Sequence, residues 1–81
     1  MLVPLYGFVA GDTLGILVLA RDDETIASVA AQLQRAATVR VRPRARVRVL
    51  ARGAVLDPAA TVSASGLTAL DRIDVVAAEE P

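Results

Sequence analysis

The 81-residue sequence contains no cysteine and no histidine. These two absences exclude disulfides, thiolate nucleophiles, the commonest metal ligands and the usual general base of enzymes. The residue inventory therefore disfavours an enzyme. We expect no catalytic residue, no metal site and no bound cofactor.

Aromatic side chains are nearly absent, since Tyr6 and Phe8 are the only two. The core must therefore be built from Val, Leu, Ile and Ala, and the hydrophobic share of 54% supplies enough of them. Two neighbouring rings cannot form the platform on which nucleic-acid binders stack successive bases. Chains of this length hold one core, so we expect a single domain over residues 1–81, with an ordered part at about 2–77 and a fraying tail at 78–81.

Long apolar runs are also missing. None is long enough to span a bilayer, and no basic start followed by an apolar stretch marks a signal peptide. We expect a cytoplasmic protein without a membrane partner.

Charge of one sign is concentrated in one segment, although nine basic and nine acidic residues balance over the whole chain. Residues 35–52 carry seven arginines and no acid, whereas the flanking segments are net acidic. Within this segment, arginine alternates with apolar residues from Val39 to Leu50. A period of two predicts an extended segment with one apolar and one charged face.

Apolar periodicity predicts the elements. Runs at 2–9 and 13–20 around a short turn indicate a hairpin, in which Pro4 belongs at a strand edge or start. Gly7 and Gly15 hint at a bulge or a close backbone approach. Thr25 and the apolar stripe after it predict a helix over about 25–37.

Beyond the helix we expect four further segments. They are an extended lead-in through about Arg44, a strand over 46–51, a short strand over Ala54–Leu56 and a final strand over 72–77. This order is an α+β pattern in which one helix packs across one sheet.

The order and spacing resemble the ubiquitin-like β-grasp fold, a four- to five-stranded mixed sheet with one helix packed across it. Residues 23–29 (Asp-Glu-Thr-Ile-Ala-Ser-Val) look like that family's helix start. Residues 50–57 (Leu-Ala-Arg-Gly-Ala-Val-Leu-Asp) are similar to its strand, turn and short strand. The sequence ends in Glu79-Glu80-Pro81 rather than in the free Gly-Gly of the conjugating members, so we expect no conjugation.

Within that superfamily the sequence looks most like the bacterial group of toluene-4-monooxygenase system protein B. The residues that carry this resemblance include Val3–Phe8, Gly11–Gly15, Asp22–Thr25, Val41–Pro43 and Leu67–Val75. The resemblance implies a non-catalytic auxiliary subunit docked on the hydroxylase of a multicomponent diiron monooxygenase. It also implies that the iron ligands lie on the large subunit.

The arginine stripe is the first candidate site, and three interpretations of it stay open. It could grip an acidic protein surface or a nucleic-acid backbone, or it could be a solvated edge that discourages aggregation. The sparse aromatics disfavour nucleic acid. Its members are Arg40, Arg42, Arg44, Arg46 and Arg48.

A second candidate site combines two strands that are neighbours in the resembled fold. Alternation places Leu50 on the outward side of its strand with Arg48, and Val76 on the outward side of the last strand with Asp74. Together with Arg46, these residues form the expected protein-contact surface. The alternatives to an auxiliary subunit are a stand-alone ubiquitin-like scaffold, for instance at a secretion apparatus, and a nucleic-acid binder.

Overall fold

The computed structural model describes residues 1–78, and within them one helix packs against one five-stranded sheet. The elements in chain order are β1 (Leu2–Val9), β2 (Gly15–Arg21), α1 (Ile26–Ala37), β3 (Val47–Ala51), β4 (Ala54–Val55) and β5 (Arg72–Ala77). The sheet order is β2-β1-β5-β3-β4. Only β1 and β5 are parallel among these neighbours, so the sheet is mixed, and the predicted α+β fold is confirmed.

The two N-terminal apolar runs form the predicted hairpin. β1 pairs with β2 from Leu2 opposite Arg21 to Phe8 opposite Gly15. The second strand begins at Gly15 rather than at residue 13, because the chain is still turning where the Leu14 N–H donates to a carboxylate oxygen of Asp12.

Helix α1 begins after Thr25, whose hydroxyl accepts the backbone N–H of Ser28 at 3.1 Å. Glu24 reinforces this end, since its carboxylate accepts the hydroxyl of Ser28 at 2.7 Å and also the side-chain amide of Gln32. The acidic residue that supports the cap therefore precedes the helix instead of lying inside its first turn. The predicted bounds and apolar stripe are confirmed.

The core lies between α1 and one face of the sheet, and every buried residue in it is Val, Leu, Ile or Ala. Among the residues that the structure describes, no polar or charged residue belongs to this core. Tyr6 and Phe8 lie outside this core, as a core made only of aliphatic side chains requires.

Gly7 marks a close approach between β1 and the helix. A methyl group added at its Cα would overlap the side chain of Leu33, which is fully buried. Pro4 lies near the start of β1, in the stretch that pairs with β2 before the parallel pairing with β5 begins at Tyr6. Both positions agree with the sequence-based predictions.

The extended lead-in predicted from Val39 is wrong for residues 39–41. The N–H groups of Arg40 and Val41 both donate to the carbonyl of Ala37, so the chain turns as the helix ends. Residues 42–46 are irregular, and the strand begins at Val47. Of the alternating segment from Val39 to Leu50, only the part from Val47 onward forms a strand.

The C-terminal half follows the prediction closely. Arg52 and Gly53 form a turn with positive φ at both residues, and β4 is one residue shorter than expected. Thr61 forms a bridge with Thr25, and residues 62–66 are turns. The N–H of Ala78 donates to the carbonyl of Arg46. The rest of the expected tail, residues 79–81, lies outside the described residues. No helix within residues 1–78 has the length and hydrophobicity needed to cross a membrane.

The contact between Gly7 and Leu33 makes a direct prediction. Gly7→Ala should lower the free energy of unfolding by about 1–3 kcal/mol, because the added methyl group overpacks the core. Urea unfolding followed by far-ultraviolet circular dichroism measures the change. In a Leu33→Ala background the same methyl group meets open space, so the change should be close to neutral there. Equal losses in both backgrounds would contradict the contact.

Candidate protein-interaction face

The sheet has two faces, and α1 covers only one of them. The other face, called here the outer face, carries the side chains that alternate with the core residues along each strand. Its half on β3 and β5 contains the predicted contact residues. Its half on β1 and β2 contains residues that the sequence analysis did not single out.

On the half formed by β3 and β5, the structure brings four predicted residues together. Leu50 lies opposite Asp74, and Arg48 lies opposite Val76, in an antiparallel pairing. Leu50 and Val76 therefore lie diagonally across the two strands, with Arg48 and Asp74 at the other two positions. Both apolar residues are half-buried. The predicted juxtaposition is present.

The arginine stripe does not form one comb. Arg40 reaches back across 28 residues to Asp12, and its guanidinium donates to both carboxylate oxygens at 2.8 and 2.9 Å. Arg44 donates from its guanidinium to the carbonyl of Ala10, and its backbone N–H donates to the side chain of Gln34. Both arginines therefore help to hold segment 38–46 against the β1–β2 turn and the helix end.

The remaining members of the stripe differ in their surroundings. Arg48 lies on the outer face in β3, and Arg42 is exposed in the irregular segment. Arg46 is exposed just before β3, where its backbone carbonyl bonds the N–H of Ala78. Arg40 and Arg44 therefore contact the β1–β2 turn, Arg48 lies on the outer face, and Arg42 and Arg46 are exposed between them. Only a continuous strand would align all five.

The ion pair between Arg40 and Asp12 has an electrostatic consequence. The guanidinium of Arg40 lowers the pKa of the Asp12 carboxyl below its ordinary value, and the backbone N–H of Leu14 acts in the same direction. Asp71 behaves similarly, since the backbone N–H of Thr68 is the main cause of its lowered pKa, with Arg52 contributing. These carboxylates are engaged in structural contacts.

The half formed by β1 and β2 carries the aromatic residues. The rings of Tyr6 and Phe8 stack with centroids 5.8 Å apart, and the guanidinium carbon of Arg72 lies 4.1 Å from the centroid of the Phe8 ring. Leu17 and Leu19 stand beside them on β2, each 58% exposed. Leu17 and Leu19 are thus more exposed than Leu50 and Val76, which are half-buried.

A sequence signal for this surface did exist. β1 is apolar at both its odd and its even positions, which is typical of a strand buried on both faces. One short helix can cover only one face of the sheet, so the outward set of β1 has to remain exposed. That set is Leu2, Pro4, Tyr6 and Phe8.

A groove of about 520 Å³ also lies between α1 and the β3–β4 strands. Alanines of the helix, including Ala27 and Ala31, and the side chains of Val47 and Leu56 contribute to its walls. Its polar lining residues are Gln34, Arg46 and Arg48, and none of its lining residues is acidic. Within the described residues, no cluster of three or more potential metal ligands occurs.

The fold defines the class of protein. The structure is similar to the ubiquitin of Caldiarchaeum subterraneum, with a TM-score of 0.80 at 14% identity over 99% of this chain and 98% of that one. It is also similar to the ubiquitin-like domain of Plasmodium falciparum Dsk2, with a TM-score of 0.76 at 15% identity over 96% and 100% of the two chains. This chain therefore has the ubiquitin-like β-grasp fold.

The family is narrower than that class. The family model of toluene-4-monooxygenase system protein B matches residues 2–76, and the chain belongs to that family. A chain in the structure of the toluene 4-monooxygenase HD complex with the inhibitor 4-bromobenzoate is similar at 26% identity, with a TM-score of 0.88. The match covers 96% of this chain and 100% of that one. No curated protein sequence matches this chain.

The lowered pKa of Asp12 predicts how the protein responds to acid. Because the pKa is lower in the folded than in the unfolded state, the ion pair stabilises the fold above about pH 4, and this contribution is lost as the pH falls through the folded-state pKa. Asp12→Asn should therefore lose less stability than the wild type between about pH 6 and pH 2. Thermal unfolding across this range measures the difference.

Arg40→Gln is the matched variant, since it removes the same ion pair from the other side. Like Asp12→Asn, it should lose less stability than the wild type as the pH falls. Identical pH profiles for Asp12→Asn and the wild type would show that the pair is not formed in solution.

Proposed function

We propose that this chain is a non-catalytic auxiliary subunit of a multicomponent monooxygenase and docks on a larger hydroxylase subunit. One observation carries the proposal. The chain matches the full length of a component of the toluene 4-monooxygenase HD complex at 26% identity, in addition to its family membership. A chain that covers the whole fold of that component can occupy the same place in an assembly.

The residues favour binding over chemistry. The sequence offers no imidazole and no thiol, and carboxylates such as Asp12, Asp71 and Asp74 are engaged with arginines. A side chain already committed to an ion pair in the fold is a poor general acid or base. We infer that the oxygen chemistry belongs to the partner and that the complex acts in the cytoplasm.

For the contact surface we propose the half of the outer face on β3 and β5. Its centre is the pair Leu50 and Val76, with Arg48 and Asp74 beside them and Arg46 at the start of the strand. An apolar centre within a charged rim is the usual anatomy of a protein interface. Arg40, Arg42 and Arg44 lie outside β3 and are proposed as a separate part of the contact, although Arg40 and Arg44 also bond Asp12 and the carbonyl of Ala10.

Two other functions make different predictions. A stand-alone scaffold would be captured without any monooxygenase subunit. A nucleic-acid binder would show affinity that falls steeply with salt concentration. No contact described here favours either of them over the auxiliary subunit.

Affinity purification from the native host, followed by mass spectrometry, tests the proposal. The wild-type chain should retain a large hydroxylase subunit. Arg48→Glu/Leu50→Glu should reduce its recovery at least about tenfold, because the substitutions place two negative charges at the centre of the contact surface.

Arg35→Glu/Val39→Glu is the matched control, since it makes the same chemical change at exposed positions around the C-terminal end of α1. It should retain the wild-type recovery. Capture of nucleic-acid-associated proteins alone, or of no hydroxylase subunit, would refute the auxiliary-subunit assignment.

A further inference from the structure

The outward side chains of β1 and β2 form a continuous apolar surface, called here the hairpin patch. Tyr6 lies opposite Leu17, and Pro4 lies opposite Leu19, so their side chains share one face. Leu2 extends the surface at one end and Phe8 at the other. None of these six residues carries a charge, and Leu2, Tyr6, Leu17 and Leu19 are all exposed.

The aromatic end of the hairpin patch is held in one arrangement before any partner arrives. A methyl group on Gly15 would lie 2.8 Å from two atoms of the Phe8 ring, so the glycine makes room for that ring to lie across β2. Tyr6 stacks on one side of Phe8, and Arg72 lies over its face. A surface already held in place loses little side-chain entropy when it binds.

The charges around the hairpin patch neutralise one another. The pairs are Arg72 with Asp74 at 3.0 Å, Arg21 with Asp23 at 3.1 Å, and the amino group of Met1 with Asp22 at 3.2 Å. A neutral apolar surface with a self-neutralised rim does not complement an acidic peptide or a phosphate backbone. It complements a partner surface that is itself apolar and uncharged.

The position of the hairpin patch makes its exposure costly in an isolated chain. β2 is an edge strand of the sheet, and it carries no charge on this face until Arg21 at its end. Natural proteins protect long apolar edge strands with charge, proline or a covering element. A surface of this kind that lacks such protection marks a protein contact.

From these observations we propose that the hairpin patch docks on an apolar, uncharged surface of the large monooxygenase subunit. This inference rests on the proposed function, because that function supplies the partner. A different protein is favoured over a second copy of this chain, because the similar chain of known structure is a component of the toluene 4-monooxygenase HD complex. The outer face then contributes both its halves to one interface, with the hairpin patch as its main apolar contact.

Copurification with Leu17→Ser/Leu19→Ser tests the inference. Both side chains are more than half exposed, so the variant should fold, and circular dichroism with thermal unfolding checks that it does. Recovery of the large subunit should fall at least about tenfold relative to the wild type. Ala36→Ser/Val39→Ser, a matched pair of apolar-to-serine changes at exposed positions on the helix side, should leave recovery unchanged.

A second measurement uses the fact that Tyr6 is the only tyrosine. Fluorotyrosine incorporated in this chain gives one fluorine NMR signal, which reports on the centre of the hairpin patch. The chemical shift of the signal should change when purified large subunits are added to the labelled chain, beyond the broadening that slower tumbling causes in any complex. An unchanged chemical shift in a complex that forms would overturn the inference.

The outcomes separate the two proposals. If the wild type retains the large subunit and Leu17→Ser/Leu19→Ser does so equally well, the hairpin patch is not the docking surface, whereas the auxiliary-subunit function stands. If the wild type retains no large subunit, both fail. If the isolated chain sediments as a dimer and the variant as a monomer, the occupant is a second copy, and the proposed partner is wrong.

Discussion

The rest of the structure depends on one close contact, the approach of helix α1 to strand β1 at Gly7. Because Gly7 has no side chain, Leu33 can lie directly against the strand, and the helix seals that face of the sheet with small aliphatic residues. Twelve helical residues then suffice for the core of the domain. Because α1 is the only helix in the described part of the chain, the opposite face of the sheet is left uncovered. All the candidate binding residues on the strands lie on that face.

Most of the fold could be predicted from local pattern. Thr25 and the stripe from Ile26 to Ala37 identify the helix, because capping chemistry and a period of 3.6 residues depend only on nearby residues. That Leu50 and Asp74 share one face of the sheet could be predicted because alternation decides which side each residue faces, and the resembled fold makes the two strands neighbours. Alternation and capping are local signals, whereas the neighbouring of these strands came from the resemblance.

Two features escaped prediction for different physical reasons. Alternation from Val39 to Arg44 suggested an extended chain. Instead, the backbone N–H of Arg40 donates to the carbonyl of Ala37, and its guanidinium donates to the distant carboxylate of Asp12. A contact across 28 residues leaves no mark on local periodicity. The exposure of Tyr6 was missed because strand β1 is apolar on both sides, so its pattern could not say which side the helix covers.

The sheet order has a consequence for how the chain reaches its native state. β1 and β5, the first and last strands, lie side by side in the middle of the sheet. Closing so long a loop is entropically unfavourable until the final contacts form, so folding is slow to begin and depends on residues near the C-terminal end. During synthesis the N-terminal hairpin therefore leaves the ribosome without its central neighbour. Its inward side chains Leu5 and Val9, which are buried in the finished fold, must then be kept from other chains until residues 72–77 have been made.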